Sequence, residues 1–448
     1  MFSDQELIKN IRAYANDSSR LAFHTPMHLG RTNYPEDLTE LNGLDNLQYP
    51  NSTLKEAETS IAKVFATEKT FLLTNGASMG LAAAILAIRL FYESEAIPLK
   101  PVLVSRNAHK SVISGLILAK LDVEWLEVNY DKELDLYREI DSQNLSRYDF
   151  NKYSALLITN PTYDGFYTKL QDLKNLDIPI IVDEAHGAHF HFLAELPQPA
   201  LKTKASIVIH SLHKTLGALT QSALAHINYG SKIPAEFYER ALRLMQTTSP
   251  NYMILKSTVE TVFDFHNKAK EYSSKIFELK ALLKENESNY FTKNDDYMKL
   301  VIKSDQAELL ESFLEKSNIF IEKKSKKCLT AFLSHLHQKD DIKRLINALE
   351  EFKNKYSTVR IESEANLNQA YLDFPEQLIS PAEAYHGSSE LIKFSEAEHR
   401  ISSELFAPCP PGFPILVPGQ KINQSVIHKL ASCDDFLNYK CGIIRVVK

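Results

Sequence analysis

The feature that most constrains this chain is a series of short, nearly continuous apolar segments between residues 53 and 230, separated by helical or loop-forming stretches. The segments are Thr70–Thr74, Pro101–Val104, Val123–Val128, Ala155–Thr159, Pro179–Val182 and Ser206–Ile209. A strand with one wet face alternates apolar and polar residues, whereas these segments do not, so both of their faces must be covered. Helical patterns lie between them, among them Thr53–Phe65, where Thr53 and Glu56 read as a capping box, and the alanine-rich stretch from Ser78 to Tyr92. Such alternation predicts an α/β unit with a mostly parallel sheet buried between helices.

The pattern changes near residue 255. A long helix over Leu255–Glu287 leads into a strand at Met298–Ile302, a helix at Ala307–Lys316, strands at Ile319–Lys323 and Cys328–Ser334, and a helix at Asp340–Lys355. That order describes a smaller α+β domain. A polar stretch, Ser357–Gln369, follows, and the proline-rich run from Ala407 to Gly419 can form only an extended loop. The expected division is an N-terminal segment over 1–52, a large domain over 53–255 and a small C-terminal domain with its tail over 256–448. A chain of 448 residues is long enough for two or three domains.

Charge and cysteine usage exclude several classes. The net charge is −6 with no long basic run, which argues against nucleic-acid binding. Cys328, Cys409, Cys433 and Cys441 are scattered, with neither zinc-ligand spacing nor a CxxC pair, so neither a metal site nor a disulfide framework is expected. Met1–Asn10 carries alternating charge and no apolar run, and Leu81–Tyr92 is interrupted by Arg89 and too short for a bilayer. The expectation is a cytoplasmic protein without membrane contact.

Three elements at strand ends carry the chemistry, and ligands of open α/β sheets collect at that edge. In Thr74-Asn-Gly-Ala-Ser78, a glycine turn opens a helix whose free N–H groups suit an anion, with Ser78 adding a hydroxyl. Read alone, it could equally be a plain strand-to-helix turn with a serine cap. In Ile180-Ile-Val-Asp-Glu-Ala-His-Gly-Ala-His189, Asp183 ends an apolar strand, where a buried carboxylate calls for a cation. A protonated pyridine nitrogen is one such cation, and helix capping is the alternative. In Ser211-Leu-His-Lys-Thr-Leu216, Lys214 follows directly on a strand. Desolvation there would free its amine for Schiff-base chemistry, while Ser211 and His213 could face a phosphate. A surface lysine is the alternative. An anion loop, then an aspartate, then a lysine is the order of the fold-type-I pyridoxal-phosphate (PLP) enzymes, which have the aspartate-aminotransferase architecture. PLP needs each part: a cradle for its phosphate, a carboxylate at its ring nitrogen, and an amine for its aldehyde.

More specific segments resemble the Orn/Lys/Arg decarboxylase family, in particular its short bacterial members, over residues 23 to about 420. They are Phe23-His-Thr-Pro-Met-His28, Asp37-Leu-Thr-Glu-Leu-Asn-Gly-Leu-Asp45, Ser105-Arg-Asn-Ala-His-Lys-Ser111, Thr159-Asn-Pro-Thr-Tyr-Asp-Gly165, Val182-Asp-Glu-Ala-His-Gly-Ala-His189, His213-Lys-Thr-Leu216 and Pro410-Pro-Gly412. The resemblance implies that Lys214 carries the cofactor aldehyde and Asp183 faces the pyridine nitrogen. It implies that His109 stacks on the ring, that Thr162 bonds the ring hydroxyl side and that Ala185 packs beneath. Ala77, Ser78, Ser211 and His213 would hold the phosphate, and His186 would stand beside Lys214. Thr248-Ser-Pro250 would reach a partner subunit. Three positions depart from the family pattern. Met27 stands where the family has Gly, Cys409 where it has Tyr, and Gln420 where it has Glu. The N-terminal wing domain of the large members has no counterpart here, so a homodimer is the expected assembly. The implied reaction is α-decarboxylation of lysine, ornithine or arginine. The alternatives are another PLP reaction, such as transamination or elimination, and a non-catalytic regulatory paralogue.

Overall fold

The computed structural model describes residues 5–284, 290–356, 374–408, 412–431 and 442–448. Cys409, Cys433, Cys441 and the polar stretch Ser357–Gln369 therefore lie outside the described residues. The elements that position the site are, in chain order, α1 (Thr53–Phe65), β1 (Lys69–Leu73), α2 (Gly76–Ser94), β2 (Val102–Ser105), α3 (Lys110–Ala119), β3 (Val123–Leu126), β4 (Ala155–Thr159), β5 (Ile180–Asp183), β6 (Ile207–Ser211), β7 (Ala223–Ile227) and α4 (Ala235–Met245). The chain forms two compact units, and each is built from two stretches, 1–99 with 173–272 and 100–172 with 273–448. The linear division at residues 52 and 255 differs from these units, because the chain leaves the first after α2 and returns to it before β5.

The first unit holds strands in the order β1-β7-β6-β5. β5 and β6 run parallel, while β7 runs antiparallel to both β1 and β6. The strands β6 and β7 are buried at every position; the burial of β6 follows its apolar pattern, whereas β7 is not among the strands expected from the sequence. Helix α2 packs closely on this sheet through Gly80. A Cβ there would stand 2.6 Å from Leu73 Cδ1 and 3.2 Å from Ile209 Cγ2. By length and composition α2 could cross a membrane, but its side chains Leu81, Ala83, Ala84, Ile85, Ala87 and Ile88 are all buried in the core.

Helix α1 starts at Thr53, as its sequence indicates, yet its capping is different. The N-cap residue is Ser52, and its side chain makes no capping bond. Asp45 supplies the anion instead, since its Oδ2 accepts the N–H groups of Asn51 at 2.9 Å and Ser52 at 2.7 Å. The capping box expected of Thr53 and Glu56 is thus replaced by a carboxylate from the preceding loop.

Glu58 of α1 is buried, and its Oε1 accepts the Leu72 N–H at 3.2 Å, which satisfies the open side of strand β1. Burial pushes its carboxyl from 4.5 up to about 7, opposed by the Leu72 N–H and by Lys55 and Lys69. A raised folded-state value means the fold prefers the protonated acid. This preference costs stability progressively as pH rises from about 4.5 through about 7, and in full above that. Glu58→Gln keeps the acceptor for Leu72 without the charge. It is expected to raise stability by up to about 3 kcal/mol at pH 8 and to change little at pH 4. Denaturant titrations at the two pH values check the difference.

The second unit holds the parallel strands β4-β2-β3 and, further along the chain, an antiparallel sheet in the order Phe291–Thr292, Lys299–Lys303, Cys328–Phe332, Lys323–Lys324. The strand expected over Ile319–Lys323 is found only as the pair Lys323–Lys324. A last antiparallel pair joins Ser389–Lys393 to Ile443–Val447.

Candidate active site

β1, β5 and β6 end on one edge of the first unit's sheet, because β6 is parallel to β5 and both β1 and β6 run against the intervening β7. This edge receives the three elements singled out in the sequence. Asp183 is the last residue of β5, and Lys214 lies in the short helix Leu212–Thr215 that follows β6. Lys214 Nζ is 3.1 Å from His186 Nε2. Asp183 is 4% exposed. Burial raises its pKa, opposed by the charge of Lys214 and by the Ala185 N–H, which donates to its Oδ1 at 3.2 Å.

The glycine turn and helix start of Thr74–Ser78 are found where the sequence places them, with one change. Gly76 has φ +70°, a left-handed conformation that favours glycine, and it opens α2 at the first helical residue. The N-cap is Asn75 and makes no side-chain bond, so Ser78 lies within the first turn rather than capping it. The leading N–H groups of the helix, those of Ala77 and Ser78 among them, have no carbonyl a turn earlier to meet.

Two residues that sequence reasoning passed over join these loops. The Gly76 N–H donates to the Gln221 carbonyl at 3.1 Å, and the Leu212 N–H donates to the Ser222 carbonyl at 3.0 Å. His213 Nδ1 also meets the Ser222 carbonyl, at 3.3 Å. Residues 221 and 222, just before β7, therefore hold the anion loop and the lysine loop side by side. The only sequence signal was a polar pair, Gln221-Ser222, ahead of an apolar run that was not read as a strand. Ser211 is buried, and its hydroxyl makes no capping bond to the short helix.

His109 and Thr162 belong to the second unit. His109 is the N-cap of α3, and its Nδ1 accepts the Ser111 N–H at 3.2 Å, which leaves Nε2 to carry the proton of the neutral ring. Gly412, from the proline-rich tail, lies against that ring, and a Cβ there would stand 2.8 Å from His109 Cδ2. The Lys110 N–H donates to the Gly412 carbonyl at 2.9 Å, so the tail fixes the histidine in place. Asn107 is 1% exposed, and neither polar atom of its side chain has a protein partner. Thr162 Oγ1 accepts the Phe166 N–H at 3.1 Å and keeps its own proton free to donate. Met27 is exposed, whereas Gln420 is buried with its Oε1 accepting the Val417 N–H at 2.9 Å. Thr248 and Ser249 are exposed and Pro250 is buried.

The donor set of the first unit fits PLP. A helix start without a side-chain cap suits a phosphate, a buried carboxylate at the strand end suits a protonated ring nitrogen, and an amine stands nearby to take an aldehyde.

Comparison with known proteins agrees. Residues 12–306 match the family model for the Orn/Lys/Arg decarboxylase major domain, and residues 364–442 match the one for its C-terminal domain. An arginine decarboxylase of Bacillus anthracis is 28% identical over 90% of this chain and 88% of its own length. The structure of the constitutive lysine decarboxylase of Escherichia coli superposes with a TM-score of 0.81 at 21% identity, over 99% of this chain and 82% of that one. A structure described as SPT with PLP shares the fold at a TM-score of 0.54 and 14% identity, over 80% of this chain and 85% of that one.

Proposed function

This chain belongs to the Orn/Lys/Arg decarboxylase family, and we propose from that premise that it removes the α-carboxylate of a basic amino acid, arginine ahead of lysine and ornithine. The fold is that of the fold-type-I PLP enzymes, and the protein is a PLP-dependent amino-acid decarboxylase. The observation that carries the site assignment is the convergence of Lys214, His186 and Asp183 at one sheet edge, with Lys214 3.1 Å from His186. Arginine is put first because the Bacillus relatives named arginine decarboxylase match this chain at 26–28% identity.

When bound, PLP supplies an electron-accepting ring that takes up the electron pair left as CO₂ departs. Each residue then has a defined task. Lys214 would hold the cofactor through its amine. Asp183, ionised against a cation, keeps the proton on the ring nitrogen, and its burial makes that pairing strong. His186 Nε2 is positioned to exchange a proton with the Lys214 amine. The Ala77 and Ser78 N–H groups, the Ser78 and Ser211 hydroxyls and His213 hold the phosphate. His109, fixed by Ser111 and Gly412, would cover a ring face and return a proton to Cα. Thr162 donates its hydroxyl to the ring oxygen, and Ala185 packs beneath the ring. The 1–52 segment contributes to the site and to a homodimer, Thr248-Ser-Pro250 reaches the partner, and the protein works in the cytoplasm.

Incubating the purified enzyme with PLP and arginine, lysine or ornithine in parallel, with each product identified by mass, is the direct test. CO₂ and a single amine product are expected, with agmatine formed at least about tenfold faster than either diamine, a difference of ~1.4 kcal/mol in the barrier. Keto-acid formation without CO₂ would replace decarboxylation by transamination. A protein that stays colourless with PLP would favour a regulatory role.

A further inference from the structure

The face of the first unit's sheet opposite Asp183 carries an unusual row of buried polar side chains. Glu184, His210 and His226 are 0% exposed, and Thr70 and Thr67 are 1% and 3% exposed. His210 Nε2 lies 2.8 Å from Glu184 Oε2, His226 Nε2 lies 3.1 Å from His210 Nδ1, Thr70 Oγ1 lies 2.8 Å from His226 Nδ1, and Thr67 Oγ1 lies 2.9 Å from Thr70 Oγ1. Three links thus cross from the end of β5 through β6 and β7 to β1, and a fourth continues from Thr70 to Thr67. Phe65 seals the row, with its ring 5.5 Å from that of His210 and 4.6 Å from that of His226.

Donor and acceptor roles along the row are determined by its end. Glu184 Oε1 already accepts the Ala200 N–H at 2.8 Å. Glu184 as a carboxylate can only accept, so His210 carries a proton on Nε2, and with a neutral ring its Nδ1 is bare. Nδ1 then accepts from His226 Nε2, whose own Nδ1 accepts the Thr70 hydroxyl, and the Thr70 oxygen accepts the Thr67 hydroxyl. All these polar atoms are satisfied with both imidazoles neutral. The pKa of His226 is pushed well below the usual histidine value by burial and by His210 and His191, consistent with that neutral state. The reversed order requires a proton donated from Glu184 or its replacement, and it leaves the Thr67 hydroxyl only the Ala62 carbonyl at 3.5 Å.

Glu184 follows Asp183 directly, and His210 precedes Ser211 and Lys214. The Glu184 N–H also donates to the Ile209 carbonyl at 3.0 Å, so this residue binds β6 through both backbone and side chain. We propose that Glu184, His210, His226 and Thr70 form a single proton-ordered positioning chain that locks together the strand ends presenting Asp183 and Lys214 to the cofactor. The chain touches neither cofactor nor substrate and acts through those two residues. It rests on the site reading given above.

Glu184→Gln is the discriminating variant. Its amide oxygen keeps the Ala200 N–H, so its NH₂ group must donate to His210 Nε2, and both histidines must move their protons to Nδ1. Selective ¹⁵N labelling of histidine, read by imidazole NMR on the full chain without cofactor, is expected to show Nε2–H tautomers for both residues in the wild type and Nδ1–H tautomers in E184Q. Glu184→Leu cuts the lock. With unchanged circular dichroism, it is expected to release PLP about tenfold faster and to lower kcat with little change in KM. Unchanged tautomers in E184Q, or wild-type PLP release from a folded E184L, would overturn the proposal. The tautomer measurement needs no cofactor, so failure to take up PLP would defeat the site reading and leave the tautomer switch to decide the chain.

Discussion

Replacing Lys214 with alanine is expected to abolish CO₂ release from every basic amino acid and, together with it, the visible absorbance that depends on the lysine–cofactor link. Turnover should fall by at least roughly 10⁴-fold, which corresponds to ~5.5 kcal/mol of lost transition-state stabilisation. The size of the effect follows from the absence of a substitute at this edge. The neighbouring group is His186, 3.1 Å from Lys214 Nζ, and an imidazole cannot take up an aldehyde in a stable exchangeable link as a primary amine does. The proposed phosphate cradle and Asp183 are untouched by the change, so K214A should still bind PLP reversibly, with a shifted spectrum and a measurable Kd. Absorbance titration and a CO₂ assay on the same sample separate the two effects. Retention of both the wild-type spectrum and turnover would remove Lys214 from the site.

The second large effect is expected in the other unit and on stability. Lys323 Nζ lies 2.8 Å from Asp164 Oδ1 and 2.6 Å from its Oδ2, and the Thr330 hydroxyl donates to Oδ1 at 2.5 Å. The two charged side chains are 5% and 1% exposed. Lys323→Ala leaves a carboxylate in a dry site with one hydroxyl for company, and such losses cost about 3–5 kcal/mol. The consequence extends to the ligand. Asp164 sits in the turn in which the Thr162 N–H donates to the Phe166 carbonyl at 2.9 Å, and Thr162 is the residue proposed to bond the cofactor's ring oxygen. K323A should therefore lower the first urea-unfolding midpoint and weaken PLP binding together. The double variant Asp164→Leu with Lys323→Met has no stranded charge and should recover most of the stability, since well-packed apolar replacements of buried ion pairs are often neutral. A K323A midpoint within error of wild type would show that the pair contributes nothing.

The layered fold was legible because strands buried on both faces leave continuous apolar runs. Ala155–Thr159 and Ala307–Lys316 are found at the residues their patterns indicate. Strand Ala223–Ile227 was missed because it carries His226, and a histidine breaks an apolar run unless its partners are known. Those partners, Thr70 and His210, are far off in sequence. The Asp183, Lys214 and Gly76 elements were legible because each joins a reactive or permissive residue to a strand end. Nothing in the sequence around His210 marks its partners, and only the register of three strands reveals the row it belongs to. Gln221 and Ser222 were invisible for a different reason. They act through backbone carbonyls, and side-chain identity carries no record of a carbonyl's partner.

Those two carbonyls have a mechanical consequence. One short bracket grips both the stretch proposed to receive the ligand's charged tail and the stretch proposed to receive its reactive head. Jostling of either stretch is passed to the other, so the pair drifts as a rigid jaw and the span between its grips stays constant. A cofactor of fixed length is then met by a gauge of fixed width.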